Sequence, residues 1–188
     1  TEGIVLIWQN EIVKPPYFRL SAGKTRSGRE IFGVENGDFS MDGNDMANSW
    51  CQSVECPYDL EAADFLQEKR VDKEEFTKKL AAENFFLPDG GAKLKLTRDS
   101  AGYVLFLECL DSRMEGEKFR KLFALPSASF SLREEAGEIV LQTKGVGHGL
   151  GFDQYGADLL AADGKDYMEL LHFFFTDLSL EKRSIIAE

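Results

Sequence analysis

Residues 145–156, GVGHGLGFDQYG, set one histidine among glycines at every second position: Gly145, Gly147, Gly149 and Gly151. A period of two is strand geometry, which puts the four glycines on one face and Val146, His148, Leu150 and Phe152 on the other. A face of glycine is bare backbone. It weakens a strand and marks a place where another backbone or a ligand comes close. The segment is therefore the first candidate for a site. A rival reading stands beside it, because the face-mates of His148 are apolar and a core histidine bonded to backbone suits the same pattern.

Other residue types able to do chemistry are sparser. Cys51 and Cys56 are close enough for a disulfide or for two metal ligands, yet no second Cys or His pair lies at zinc-finger spacing, and two ordinary thiols in a loop fit equally. Cys109, inside YVLFLEC, reads as core, and three cysteines are too few for a disulfide scaffold. Asp38, Asp42, Asn44 and Asp45 have calcium-binding side chains but not the EF-hand order with glycine in sixth place, so this stretch reads as a solvated loop. SAGKT, residues 21–25, lacks the Walker spacing of a phosphate-binding loop. As a bare motif it is also a turn with Gly23 at positive φ.

The elements that must position these residues alternate between hairpins and isolated helices. GIVLIWQNEIVKPPYF predicts two strands around Gln9-Asn10, ended by Pro15-Pro16. Asp72 with Glu75 has the spacing of a capping box and predicts a helix over 72–84. AKLKLTR and YVLFLEC flank the turn DSAG as one hairpin, SASFSL and EIVLQT flank REEAG as another, and GEKFRKLF between them is a short amphipathic helix. The second hairpin runs into the glycine strand. A helix closed by Gly164 follows, then one begun by Asp166 and Glu169 over YMELLHFFF, where His172 is a structural residue. Without β-α-β alternation, the expected class is α+β, antiparallel β hairpins with several short helices. The chain reads as a single domain over residues 1–188, with no internal repeat or linker.

Composition narrows the partners. The chain has 188 residues, 43% hydrophobic, enough for an ordinary core, and a formal charge of −11. That charge argues against nucleic acid and anionic membrane surfaces, which reward clustered Lys and Arg. No apolar run approaches the roughly 18–20 residues of a membrane span. Because the first residue is Thr1 rather than Met, the expectation is a mature or excised piece.

Several segments together resemble the stage II sporulation protein D and amidase-enhancer LytB family of bacterial cell-wall proteins. KGVGHGLGFDQYGADLLAADGKDYMELLHFFFTD is similar to that family's closing signature, a G-H-G-h-G-x-x-Q-aromatic-G-A run and the helical stretch after it. SAGKT, SVECPYD at 53–59 and GEKFRKLFALPSASF at 116–130 resemble its earlier landmarks in the same order. Phe152-Asp153 stands where members commonly carry Met-Ser. Some members hold zinc through a histidine before the SAGKT-like segment and nearby cysteines. Here that histidine position is Phe18, and only Cys56 falls in register, which leaves a metal site open.

The resemblance implies an extracytoplasmic, wall-associated protein acting on peptidoglycan glycan strands, with no cofactor. Its chemistry is lytic cleavage between N-acetylmuramic acid and N-acetylglucosamine. Most glycosidases need two carboxylates. A lytic transglycosylase works with one, because the muramoyl C6 hydroxyl is the nucleophile and a single glutamate can serve as acid and then base. In the family that glutamate lies in an E-x-P segment ahead of an ALKAQA-like helix; that combination does not occur in residues 1–188, so the glutamate is expected upstream of Thr1, with any anchor, and no catalytic residue is assigned here. Glu55, Asp59 and Glu61 are possible replacements, weighed against the reading that loop acids are solvated.

On this implied function the substrate-binding candidates are Ser21, Lys24, Thr25, His148, Gln154 and Tyr155. The hydroxyls of Ser21 and Thr25 and the amide of Gln154 donate and accept, Lys24 offers a cation to a lactyl or peptide carboxylate, and Tyr155 offers a ring with a polar tip. His148 would bond the saccharide or hold the glutamate. Each has a plainer role: a turn for Ser21 to Thr25, a helix cap for Gln154, packing for Tyr155. Two further functions compete with the enzyme: a non-catalytic module that binds glycan or enhances a cell-wall amidase, and a purely structural α+β domain.

Overall fold

In the computed structural model the described residues are 3–32, 50–88 and 94–183. The acidic stretch around Asp38, Asp42, Asn44 and Asp45 lies outside them. The described chain is α+β, its antiparallel sheets separated by short helices.

The first sheet is β11–β1–β2, with β1 Ile4–Trp8 and β2 Glu11–Val13 joined through Gln9 and Asn10, both at positive φ as a tight hairpin turn requires. Its other edge, β11 Ser179–Lys182, pairs antiparallel with β1 and had no sequence signal, being short and largely polar. The sheet packs with α4 Gln154–Ala162 and α5 Tyr167–Phe174 around Leu6, Trp50, Cys51, Phe174 and Phe175. Asp153 caps α4 and Asp166 closes a full capping box with Glu169 on α5.

A second core gathers around β4 Leu66–Asp72, β9 Glu138–Lys144 and β8 Phe130–Glu135, paired antiparallel in that order. It includes α2 Lys73–Ala82, capped by Asp72 as expected, and α3 Gly116–Leu122. Phe119 lies between Phe123 and Phe130, with ring centroids 4.6 and 4.7 Å away. The hairpin of β5 Lys95–Arg98 and β6 Val104–Cys109 forms as read, and β7 Ser112–Glu115 extends it. β4 was missed because only Val71 of its seven residues is buried; LQEKRVD carries no apolar alternation to read. The Gly/Ser-rich segment after SAGKT contains a one-turn helix, α1 Gly28–Phe32.

The glycine strand is a correction. Residues 145–151 form no regular strand: Gly145, Gly147, Gly149 and Gly151 all have positive φ, from 71° to 115°. A strand needs negative φ throughout, so the four glycines cannot share a pleated face. Instead the backbone reverses its facing at each one.

Candidate functional site

Those reversals let residues 145–156 zip against residues 16–26. Leu20 and Val146 exchange backbone hydrogen bonds of 3.0 and 2.8 Å, Arg26 N–H donates to Gly149 O at 2.7 Å, and Phe152 N–H donates to Pro16 O at 2.9 Å. Beyond them, β3 Tyr17–Phe18 and β10 Phe152–Asp153 pair in parallel. A Cβ on Gly145 would lie 2.6 Å from Ser21 O, one on Gly147 2.8 Å from Phe18 Cβ, and one on Gly149 2.5 Å from the Tyr103 ring; one on Gly151 would meet Pro16 O. The close approach that glycine signals is therefore residues 16–21 and Tyr103.

Within this zipper the candidates have different surroundings. His148 is half-buried. Leu150 N–H donates to its Nδ1 at 3.1 Å, which makes Nε2 the protonated nitrogen, and Nε2 donates to Tyr17 O at 3.1 Å. Burial holds its pKa below the usual histidine value. Ser21 and Thr25 are fully buried. The Thr25 hydroxyl accepts from Val54 N–H at 2.8 Å, and Lys24 pairs with Glu55 at 2.9 Å. Gly23 has φ 98°, as the turn reading required. Tyr155 is half-buried and its N–H donates to Arg19 O at 3.0 Å, while Gln154 is exposed at the start of α4. The helix cap offered for Gln154 belongs to Asp153, whose Oδ1 accepts from Gly156 N–H at 3.3 Å.

Under the zipper lies a cluster that sequence reading missed. Ser21 N–H is shared between Asp59 Oδ2 at 2.9 Å and Asp153 Oδ2 at 3.2 Å, and Ser21 Oγ donates to the same Asp59 oxygen. Both carboxyls are wholly buried, and Asp59, expected in a solvated loop, sits on a one-turn 3-10 helix, Pro57–Glu61. Desolvation, and then a hydrogen bond and repulsion from Asp59, push the Asp153 pKa up to about 8. Asp153 is therefore the carboxyl that keeps its proton toward neutral pH. Burial raises the Cys56 thiol as well, with both aspartates adding to the effect, and burial alone pushes Cys51 up to about 12. Both cysteines are free thiols in loop segments, as one reading had them, but buried rather than exposed.

Cys56, Asp59 and Asp153 offer three ligand atoms within 4.8 Å of one another, and Asp59 Oδ1 is buried without a hydrogen-bond partner. These are the described residues grouped closely enough to hold a cation. The histidine-containing zinc set implied by the resemblance does not fit, since the Phe18 ring packs on His148 at 5.6 Å where a ligand would be needed.

Solvent meets the zipper elsewhere. Pro15, Pro16, Tyr17, Phe152, Leu171 and Phe175 line an apolar groove of about 290 Å3, with Gln154 also in its wall. Tyr17 is 65% exposed. A flat apolar floor with an amide in the wall can take the face of a sugar ring and an acetamido group together.

Over 176 residues, 93% of its length, the chain is 24% identical to stage II sporulation protein D of Bacillus subtilis (strain 168), covering 47% of that protein. It is also 24% identical over 183 residues, 97% of its length, to stage II sporulation protein D of Bacillus amyloliquefaciens, covering 49%. A 56-residue stretch is 36% identical to an uncharacterized protein of Brachyspira hyodysenteriae (strain ATCC 49526 / WA1), 15% of that protein. The chain thus spans about half the length of the two sporulation proteins it matches. No protein-family model matches it.

Proposed function

We propose that this chain, a stage II sporulation protein D-like protein by its similarity over nearly its whole length, binds the glycan strands of peptidoglycan in a sporulation-related remodelling of the cell wall. On this reading it works outside the cytoplasmic membrane and holds the strand for lytic cleavage between N-acetylmuramic acid and N-acetylglucosamine. The observation that carries the reading is the Tyr17–Phe152 groove, open to solvent and built where the strand just ahead of SAGKT pairs with the glycine-rich segment that resembles the family's closing signature. Tyr17 supplies a ring for stacking, and Gln154 an amide for hydroxyl or acetamido groups. Ser21 and Thr25 are buried away from the groove, and His148 acts behind it by holding the Tyr17 carbonyl.

The acid is a glutamate supplied from outside residues 1–188. Asp59 and Asp153 do not serve as a glycosidase pair, because they are sealed from solvent and bonded to each other, whereas paired catalytic carboxylates stand about 5 Å or more apart across the bond they cleave. A competing function is a non-catalytic module that binds glycan and enhances a cell-wall amidase.

The test is retention and cleavage of purified glycan strands, by this chain and by the chain joined to an upstream segment carrying the acid. The reading expects retention by both, anhydro-muramoyl ends from the longer form alone, and a several-fold loss of retention in Tyr17→Ala and Gln154→Ala at unchanged melting temperature. Retention without anhydro ends from either form would favour the amidase-enhancing module, and no retention by either would overturn the reading.

A further inference from the structure

At the other end of the zipped segment from Tyr17, Ala22 lines a pocket of about 340 Å3 on the outer face of the β8–β9 ladder. Its polar wall comprises Arg98, Ser129, Ser131, Gln142 and Lys144, and contains no carboxylate. In a chain with 33 acidic and 22 basic residues, two cations converging on a concave surface without an acid is unusual enough to need a reason.

Their partners sharpen the point. Arg98 is fixed by donating to Gly102 O at 2.8 Å and Phe130 O at 2.7 Å, contacts that position the guanidinium and leave its charge uncompensated. Burial lowers its pKa, an effect that the nearby Asp99 opposes. Asp99 is itself taken by Arg26 at 2.6 Å. Lys144 is anchored through its backbone, which donates to Ser129 O at 2.8 Å and accepts from Ser127 Oγ at 2.5 Å, and its ammonium makes no ion pair among the described residues. The acid nearest in the hydrogen-bond network is Glu68, which accepts from the Gln142 amide at 3.1 Å and is neutralised by Arg133 at 2.9 Å.

We propose that this pocket is a carboxylate-binding subsite, in which Arg98 and Lys144 receive an acidic substituent of a glycan strand lying across residues 17–22. The inference rests on the glycan-binding reading and deepens it by naming what the protein distinguishes among strands. The five backbone steps from Tyr17 to Ala22 span no more than about 18 Å, so one strand can engage the Tyr17 groove and this pocket together. A preorganised guanidinium with a mobile ammonium suits a planar carboxylate, and the Ser131 hydroxyl, exposed beside them, can donate to it. Peptidoglycan offers that chemistry from two sources, the lactyl ether of muramic acid and the stem peptide. The Lys24 cation, paired with Glu55, is compensated already.

The experiment measures retention of glycan strands stripped of stem peptide, the same strands with their carboxyls methyl-esterified, and peptide-bearing strands. Wild type, Lys144→Gln and Lys144→Arg are compared; the side chain of Lys144 is exposed and not part of the fold's hydrogen bonding. Wild type is expected to hold the free acid about tenfold more tightly than the ester. That preference should vanish in Lys144→Gln and persist in Lys144→Arg. A preference for stripped strands that Lys144→Gln abolishes identifies the lactyl carboxylate; one for peptide-bearing strands identifies the peptide. Equal retention of acid and ester by wild type, together with no preference for peptide-bearing strands that Lys144→Gln abolishes, overturns the subsite and leaves glycan binding standing. Retention of no strand at all overturns glycan binding and the subsite with it.

Discussion

His148 and Asp153, five residues apart, are tuned in opposite senses, and each sense has a consequence in pH. His148 is kept neutral, its Nδ1 free to accept from Leu150 N–H and its Nε2–H committed to Tyr17 O. A histidine whose folded pKa lies below its unfolded value stabilises the fold above that unfolded value and loses the contribution as pH falls. His148→Ala should cost about 1–3 kcal/mol at pH 8 through two lost hydrogen bonds and an unsatisfied backbone N–H. The difference from wild type should shrink below about pH 6, as denaturant melts at several pH values would show. Asp153 is the reverse case. Its pKa is raised from 3.8 to about 8, so its contribution is complete below the unfolded value and fades as pH climbs toward 8. The slope is at most about 1.4 kcal/mol per pH unit. Asp153→Asn keeps the helix cap and carries no charge to desolvate. Its stability should be nearly flat between about pH 4 and 8, where wild type declines; a parallel decline in both would show that the titrating group is not Asp153.

The glycines act at the scale of elements. Gly149 and Gly137 have nearly the same φ, 80° and 85°, yet a Cβ on Gly137 in the β8–β9 turn meets nothing within 4 Å while one on Gly149 enters the Tyr103 ring. Gly137→Ala should therefore cost only the left-handed backbone, about 1 kcal/mol. Gly149→Ala should add an overpacking cost of about 1–3 kcal/mol, and comparable melting midpoints for the two would refute the close-packed zipper. Local signals were legible wherever the physics was local: both hairpins, the caps Asp72 and Asp166, and the turn at Gly23 depend on residues a few positions apart, whereas the cap of α4 fell one residue before the Gln154 offered for it. The same alternation that suggested a strand at 145–151 misled, because period two records spacing and says nothing about the sign of φ. Asp59 gave no signal, since what buries it is Ser21, 38 residues earlier, and Asp153, 94 residues later. β4 and β11 were invisible for want of a buried face to write a pattern. As a site, the sequence marked the glycine segment as a place of close approach without naming what approaches it. Which side chains remain open to a ligand depended on the partners each acquires.

Across the molecule, one buried cation ties distant parts of the chain to the zipper. Arg26, wholly buried, reaches Asp99 at the β5–β6 turn at 2.6 Å and Glu117 on α3 at 3.4 Å, donates to His148 O at 3.3 Å, and lies 4.9 Å over the Tyr103 ring. Asp99 in turn accepts from Ala101 and Tyr103 N–H at 3.2 and 2.9 Å, which holds the turn that presents Tyr103 to Gly149. Such a pair is a poor source of net stability, because both ions are desolvated, but removing one partner strands the other. Arg26→Met should therefore destabilise by about 3–5 kcal/mol. If the loss comes mainly from the stranded carboxylate, Arg26→Met with Asp99→Asn should recover much of it, since asparagine retains an acceptor for the two N–H groups without a buried charge. The double variant would still lack the link to His148 O, so its zipper should open more readily, read as faster amide exchange at Gly149 and Leu150 than in wild type at matched global stability. A double variant as unstable as Arg26→Met alone would mean that the arginine acts through packing on Tyr103 rather than through charge.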